Sequence, residues 1–141
     1  MNRDYPERPF VGVGAVIWKN DKVLLVRRAK PPRLDEWSIP GGAQHVGETL
    51  VQAVLREVKE ETDLSVTVIG LIDVVDGLIP DGDGKIKNHY TLIDYAATWQ
   101  SGEAHAGDDV AEVRWVGLDE LKDYDLWSET ERVIRKSATF L

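Results

Sequence analysis

Glu57, Glu60 and Glu61 stand at i, i+3 and i+4, so on a helix their carboxylates project from one side within a turn of each other. Left unneutralised they repel, at a cost of roughly 0.2–0.5 kcal/mol for a like-charged i,i+4 pair. Hard oxygen donors crowded on one rigid element are what Mg²⁺ or Mn²⁺ takes, with phosphate oxygens and water completing the octahedron. For three glutamates alone, a solvated acidic helix face is the plainer reading. Their surroundings add Arg56 next to Glu57, Glu48 eight residues earlier, and an acidic run Asp108, Asp109 and Glu112 further along the chain.

The element that must carry these groups is legible. Between Thr49 and Thr62 the apolar residues Leu50, Val51, Val54, Leu55 and Val58 recur at three- and four-residue steps, which predicts an amphipathic helix starting near Glu48 or Thr49. Residues 11 to 28 read as a hairpin of two strands around Lys19-Asn20-Asp21. A charged loop from Ala29 to Glu36 leads to a strand-like Trp37-Ser38-Ile39, and Pro40-Gly41-Gly42 is expected to bend, continuing neither regular element. Val66 to Val75 and His89 to Trp99 are expected as strands separated by a Gly- and Asp-rich loop, Asp76 to Lys87. A short strand is expected at Val113 to Val116. The tail from Ser128 to Phe140 reads as a helix with Ser128 as N-cap and Glu131 closing a capping box. Hairpins mixed with helices give an α/β (α+β) class, a mixed sheet covered on both faces, in one domain over 1–141.

Composition narrows the chemistry. The chain has 141 residues, no cysteine and a formal net charge of −8, with 25 Asp and Glu against 17 Lys and Arg. Thiolate metal sites and thiol nucleophiles are excluded, and binding to a nucleic-acid backbone is disfavoured. The polar start of the chain and the lack of any long apolar run suggest a cytoplasmic protein without a membrane span. An acidic protein acting on diphosphates needs a divalent cation between its carboxylates and the substrate.

From Gly42 the chain reads five residues, Glu48, seven residues, Arg56-Glu57-Val58, one residue, Glu60-Glu61. This resembles the Nudix box, G-x5-E-x7-R-E-U-x-E-E-x-G-U with U apolar, of the Nudix (MutT-like) hydrolases. One fixed position departs: Asp63 stands for the last glycine, before Leu64. Asp tolerates the left-handed conformation favoured just past a helix better than most residues, so the departure reads as a changed cap. The flanks resemble the family too, at Val11 to Val26, at Trp37 to Gly42 and at Arg114-Trp115-Val116.

The resemblance implies an α/β/α sandwich and a Mg²⁺-dependent hydrolase, with Mn²⁺ as the alternative cation. It implies Glu57, Glu60 and Glu61 as metal carboxylates, the Gly42 carbonyl as a further ligand, and Glu48 either as a ligand through water or as a charge that favours the helix N-terminus. It implies Arg56 as their orienting cation, holding a carboxylate through charge-assisted hydrogen bonds, where the plainer reading is a structural salt bridge in the same place. Asp109 is the favoured extra ligand or general base, against the plainer reading of Gly107-Asp108-Asp109 as a turn. The substrate expected is a small nucleoside diphosphate derivative, ADP-ribose first, because Pro80, sixteen residues beyond Leu64, falls where ADP-ribose-cleaving members tend to have proline. Pro80 read locally is a turn proline. A nucleoside triphosphate pyrophosphohydrolase is the nearest alternative. A non-catalytic nucleotide-sensing domain is disfavoured because all the box glutamates are kept. A calcium loop at Asp81 to Gly84 is set aside because it lacks the twelve-position pattern. Related enzymes are frequently homodimers. Trp18, Trp37, Tyr90 and Trp99 are available to stack on a base. Arg27, Arg28, Lys30 and Arg33 could meet phosphate or ribose, and His45 alone among the histidines lies close to the box.

Overall fold

The structure is a computed structural model that describes residues 3–31 and 33–141. Strands β1 (Phe10–Lys19) and β2 (Lys22–Arg28) form the expected hairpin, paired at Trp18 with Val23 and at Lys19 with Lys22. Its turn uses a positive φ at Asn20, which Asn adopts more readily than most residues. Past the hairpin mouth the two strands part. β2 pairs along its length with β7 (Val110–Gly117) and at its end with β3 (Trp37–Ser38). β1 pairs in parallel with β6 (Ile86–Ser101) and, through Gly12 to Gly14, antiparallel with β4 (Gly41–Ala43). β5 (Ser65–Pro80) lies at the far edge against β6. The sheet is therefore mixed, as expected.

Alternation along β1 and β2 feeds two cores. Ala15, Ile17 and Leu24 point to one face and pack under helix α1 (Leu50–Thr62) with Ala53, Val54 and Val58. Val16, Trp18, Val23 and Leu25 point to the other, under helix α2 (Ser128–Ser137) and a 3₁₀ segment Leu118–Tyr124, meeting Leu121, Val133 and Ile134. Full burial of each aliphatic side chain contributes about 1.5–3 kcal/mol. Trp18 belongs to this core, its indole N–H donating to Ser137 Oγ at 2.9 Å.

Four expectations need correction. Gly41-Gly42 forms strand instead of a free bend, because a glycine lets β4 lie against β1: a Cβ on Gly41 would sit 2.1 Å from the Val13 carbonyl oxygen. The loop expected over 76–87 shrinks to 81–85, because cross-strand pairing in the β5–β6 ladder overrides the weak strand propensity of Asp76, Gly77 and Asn88. The short strand expected over 113–116 runs from Val110 to Gly117 along β2. Ser128 is the first helical residue of α2, Trp127 takes the cap position without a side-chain bond, and Glu131 pairs with Arg135 at 3.1 Å. The helix also ends at Ser137, followed by a 3₁₀ turn at Ala138–Phe140. Among the described residues no helix is long and apolar enough to cross a membrane.

Candidate active site

Helix α1 is held at both ends by local chemistry. Thr49 caps it, its hydroxyl accepting from the Gln52 amide while the Gln52 side chain accepts from the Thr49 amide. At the other end Asp63 adopts φ 62, ψ 19, left-handed as expected, with its N–H on the Lys59 carbonyl. Between these caps the apolar stripe seats the helix against the sheet and turns Glu57 and Glu61 inward to β4. Glu61 Oε1 accepts from the Gly41 amide at 2.8 Å. A Cβ on Gly42 would lie 2.4 Å from the Glu57 carboxyl carbon, so the carboxylate occupies space that only glycine leaves. Glu57 and Glu61 are buried, at 9% and 6% exposure, while the Glu60 carboxylate stays at the rim.

Arg56 ties the cluster together. Its Nε and Nη2 donate to the two oxygens of Glu48 at 2.6 and 3.0 Å, Nη2 also reaches the Ala43 carbonyl at 2.9 Å, and Nη1 donates to Glu57 at 2.9 Å and Glu60 at 3.2 Å. Glu48 additionally accepts from the His45 amide at 2.8 Å. The Arg56 bonds, then that amide, hold the Glu48 carboxyl down at about 2. His45 stays exposed beside it.

Burial pushes Glu57 up and Glu61 up to about 7, the latter despite the Gly41 amide that favours its charged form. The charge of Asp108 adds to both shifts. The loop bearing Asp108 docks on the end of α1, Gly107 N–H donating to the Glu61 carbonyl and His105 N–H to the Thr62 carbonyl, each at 3.0 Å. Asp109 instead pairs with Lys30 at 2.9 Å on the edge of the same cleft.

The chemistry of this donor set fits a divalent cation. Glu57 and Glu61 lie against glycine backbone with Glu60 at the rim one turn away, and burial, with the charge of Glu57 added, leaves Glu61 reluctant to ionise without a cation. Among the described residues no three acidic side chains already stand at mutual ligand spacing, and Arg56 holds Glu57 and Glu60 toward itself.

From Gly41 and Gly42 a cleft of about 470 Å³ runs over the α2 face of the sheet, lined by Gly12, Gly14, Trp37, Tyr90, Asp94 and Trp127 among others. Arg28 and Arg33 reach it, Arg33 stacked 5.2 Å from the Trp127 ring, whereas Arg27 is spent on Asp35 and Glu112. Of the four aromatic candidates, Trp37 and Tyr90 face this cleft; Trp99 lies under Lys19 elsewhere. Pro80 closes β5 and is not part of the lining. Trp127, Asn88 and Asp94 were not singled out from the sequence. Trp127 carries no pattern, but an aspartate inside the otherwise uncharged run Tyr90 to Trp99 is a signal that could have found Asp94.

Comparison with known proteins agrees with this arrangement. The family description NUDIX domain matches residues 8–137. The ADP-ribose pyrophosphatase of Methanocaldococcus jannaschii is 35% identical over 130 residues, covering 84% of this chain and 75% of that protein. Among solved structures, a MutT NUDIX hydrolase from Burkholderia pseudomallei superposes with a TM-score of 0.80 at 30% identity, covering 92% of this chain and 98% of the other. The NUDIX domain of Shewanella oneidensis NrtR, solved with ADP ribose, gives 0.77 at 25% identity and covers 95% and 89%.

Proposed function

The chain belongs to the Nudix hydrolase family, whose members act on nucleoside diphosphate derivatives with divalent metal, and we propose that its substrate is ADP-ribose, cleaved to AMP and ribose 5-phosphate. The observation that supports this reading is one cleft that reaches from the Gly41-Gly42 backbone, against which Glu57 and Glu61 pack, to the aromatic and polar lining at Tyr90, Asp94 and Trp127. A diphosphate at the acidic end leaves its attached groups lying along the cleft. The resemblance to an ADP-ribose pyrophosphatase and to an ADP-ribose-bound domain supports that choice.

In this reading Glu57, Glu60 and Glu61 hold Mg²⁺ or Mn²⁺, with the Gly42 carbonyl as a further donor. Bound cation supplies charge neutralisation on the diphosphate oxygens and a more acidic water. Arg56 fixes the rotamers of Glu57 and Glu60, and Glu48 acts through Arg56 as a positioning residue. Water attacks one phosphorus, the bond to the bridging oxygen breaks, and the bridging oxygen leaves on the other phosphate. Asp108, whose charge reaches Glu57 and Glu61, accepts the proton from that water, while Asp109 is engaged by Lys30.

The test is turnover of purified protein with Mg²⁺ on ADP-ribose, other diphosphate-linked nucleosides, dinucleoside polyphosphates and nucleoside triphosphates, beside Glu60→Gln and Glu61→Gln. Metal-dependent cleavage of ADP-ribose ahead of the panel, lost in either variant, is expected. Faster cleavage of a triphosphate overturns the substrate, and tight binding without any turnover overturns catalysis.

A further inference from the structure

Strand β6 presents Asn88, Tyr90, Leu92 and Asp94 at alternate positions, hence on one face, and all four line the cleft. The two ends of this row are polar groups with unmet demands. Asn88 is 2% exposed and its Nδ2 donates to the Arg3 carbonyl and to Asp4, but its Oδ1 has no partner. Asp94 is 8% exposed, and no described residue donates a hydrogen bond to it.

The neighbours of Asp94 make the arrangement unusual. Its partner across the β5–β6 ladder is another acid, Asp73. Arg132 of α2, whose charge acts on Asp94, is bound to Asp73 at 2.8 Å and to Glu129 at 2.5 Å, and Lys136 also goes to Asp73, at 3.4 Å. Opposite Asp94 on β1 is Gly14, where a Cβ would stand 2.5 Å from Asp94 Oδ1. Room is therefore kept for this carboxylate while nothing in the protein is given to it. A buried carboxylate without donors costs stability, and a group held at such cost inside a cleft marks a site.

We propose that Asp94 is a specificity-determining residue whose two carboxylate oxygens accept hydrogen bonds from the vicinal hydroxyls of a substrate ribose. The inference rests on the nucleoside diphosphate reading above and assigns one of its contacts. Burial raises Asp94 to about 6, so near neutral pH it is mostly an acceptor without a proton and calls for a ligand with two adjacent donors. Its position suits a sugar. Gly14 is the register partner of Gly41 on one side and of Asp94 on the other, so Asp94 lies two strand spacings, about 10 Å, from the start of the box. A phosphate and its ribose, with the Asp94 side chain and one hydrogen bond added, span that distance.

The experiment is calorimetric titration of the full chain and of Asp94→Asn with ADP-ribose, AMP, 2′-deoxy-AMP, ribose 5-phosphate and 8-oxo-dGTP, beside steady-state turnover of ADP-ribose. Asn is isosteric and thermal melting confirms that the variant folds. Asp94→Asn is expected to weaken ADP-ribose at least tenfold and to raise KM by the same factor with kcat within threefold. AMP or ribose 5-phosphate, whichever carries the recognised ribose, is weakened with it. If that is AMP, loss of the 2′-hydroxyl weakens binding to the native chain and changes little in the variant. ADP-ribose binding within twofold of native, or a larger loss for 8-oxo-dGTP, which lacks the diol, overturns the assignment. Diol-dependent binding without turnover by the native chain overturns the hydrolase substrate and leaves this assignment standing; normal ADP-ribose turnover with an unchanged KM in Asp94→Asn does the reverse.

Discussion

Arg56 and Glu48 form a two-pronged ion pair, Nε to Oε2 at 2.6 Å and Nη2 to Oε1 at 3.0 Å, and the guanidinium so fixed presents Nη1 to Glu57 at 2.9 Å. The Glu48–Arg56 spacing in the sequence is thus a bracket that sets the rotamer of a buried carboxylate. A lysine keeps the charge and loses the fork. Arg56→Lys is expected to fold and to lose activity by about 10–100-fold, the range seen when groups supporting a metal ligand are removed. The check is kcat alongside the Mg²⁺ concentration needed for half-maximal rate, which rises if Glu57 is misplaced. An unchanged metal requirement would leave Arg56 a structural pair only.

Gly42 offers a sharper probe of the same carboxylate. An added Cβ would stand 2.4 Å from Glu57 Oε1, and Glu57 is the end of a side chain that can swing away, so the fold survives while the site does not. Gly42→Ala is expected to keep its circular dichroism and to lose roughly 100-fold in kcat/KM, about 2.7 kcal/mol of transition-state stabilisation. Activity within a few-fold of native would mean that Glu57 acts from another rotamer.

Asp108 and Asp109 are adjacent in sequence and differ in surroundings. The charge of Asp108 acts on Glu57 and Glu61, and Asp109 pairs with Lys30. Asp108→Asn is therefore expected to lower kcat by about 10²-fold, within the span of general acid–base effects, and Asp109→Asn by less than about threefold. The reverse ranking in a pH–rate comparison of the two variants would move the base to Asp109.

Asp94 should make stability depend on pH. Burial chiefly, with Asp73 adding and Arg132 opposing, raises it from 3.8 to about 6, and Glu129 also lines the cleft beside it. The folded state thus binds its proton more tightly than the unfolded state, so the contribution is fully present below pH 3.8 and lost as pH rises through 6. Asp94→Asn, which has no charge to bury, should melt near the native protein at pH 4 and above it at pH 7. The gap corresponds to at most about 3 kcal/mol at 1.36 kcal/mol per pKa unit. Melting curves at both pH values decide it, and a constant difference would show that Asp94 does not titrate in this window.

Much of the fold was readable because it is local. The helix over 50–62 follows from a 3.6-residue apolar period and its own caps, and the left-handed Asp63 follows from the backbone preference of one residue. The hairpin at Asn20 is equally local. The glutamates, Arg56 and Gly42 were nameable through the resemblance to the Nudix box, a contiguous segment that runs from β4 to the end of α1. The reading failed where pairing partners decide. Gly41-Gly42 looks like a bend until β1 lies beside it, and Asp76-Gly77 looks like a loop until β6 supplies a ladder.

By itself the sequence determined the acidic cluster, its orienting arginine and the helix that spaces them, because those relations are set within a few turns of one chain segment. Only the tertiary structure decided that the charge of Asp108 reaches the cluster while Asp109 pairs with Lys30, that Trp127 and Asp94 line one cleft ending at Gly41 and Gly42, and that Arg132 goes to Asp73 and leaves Asp94 without a donor. Those relations join residues distant along the chain through sheet register and helix docking, and burial, which sets the charge of Asp94 and Glu61, exists only once the layers have closed.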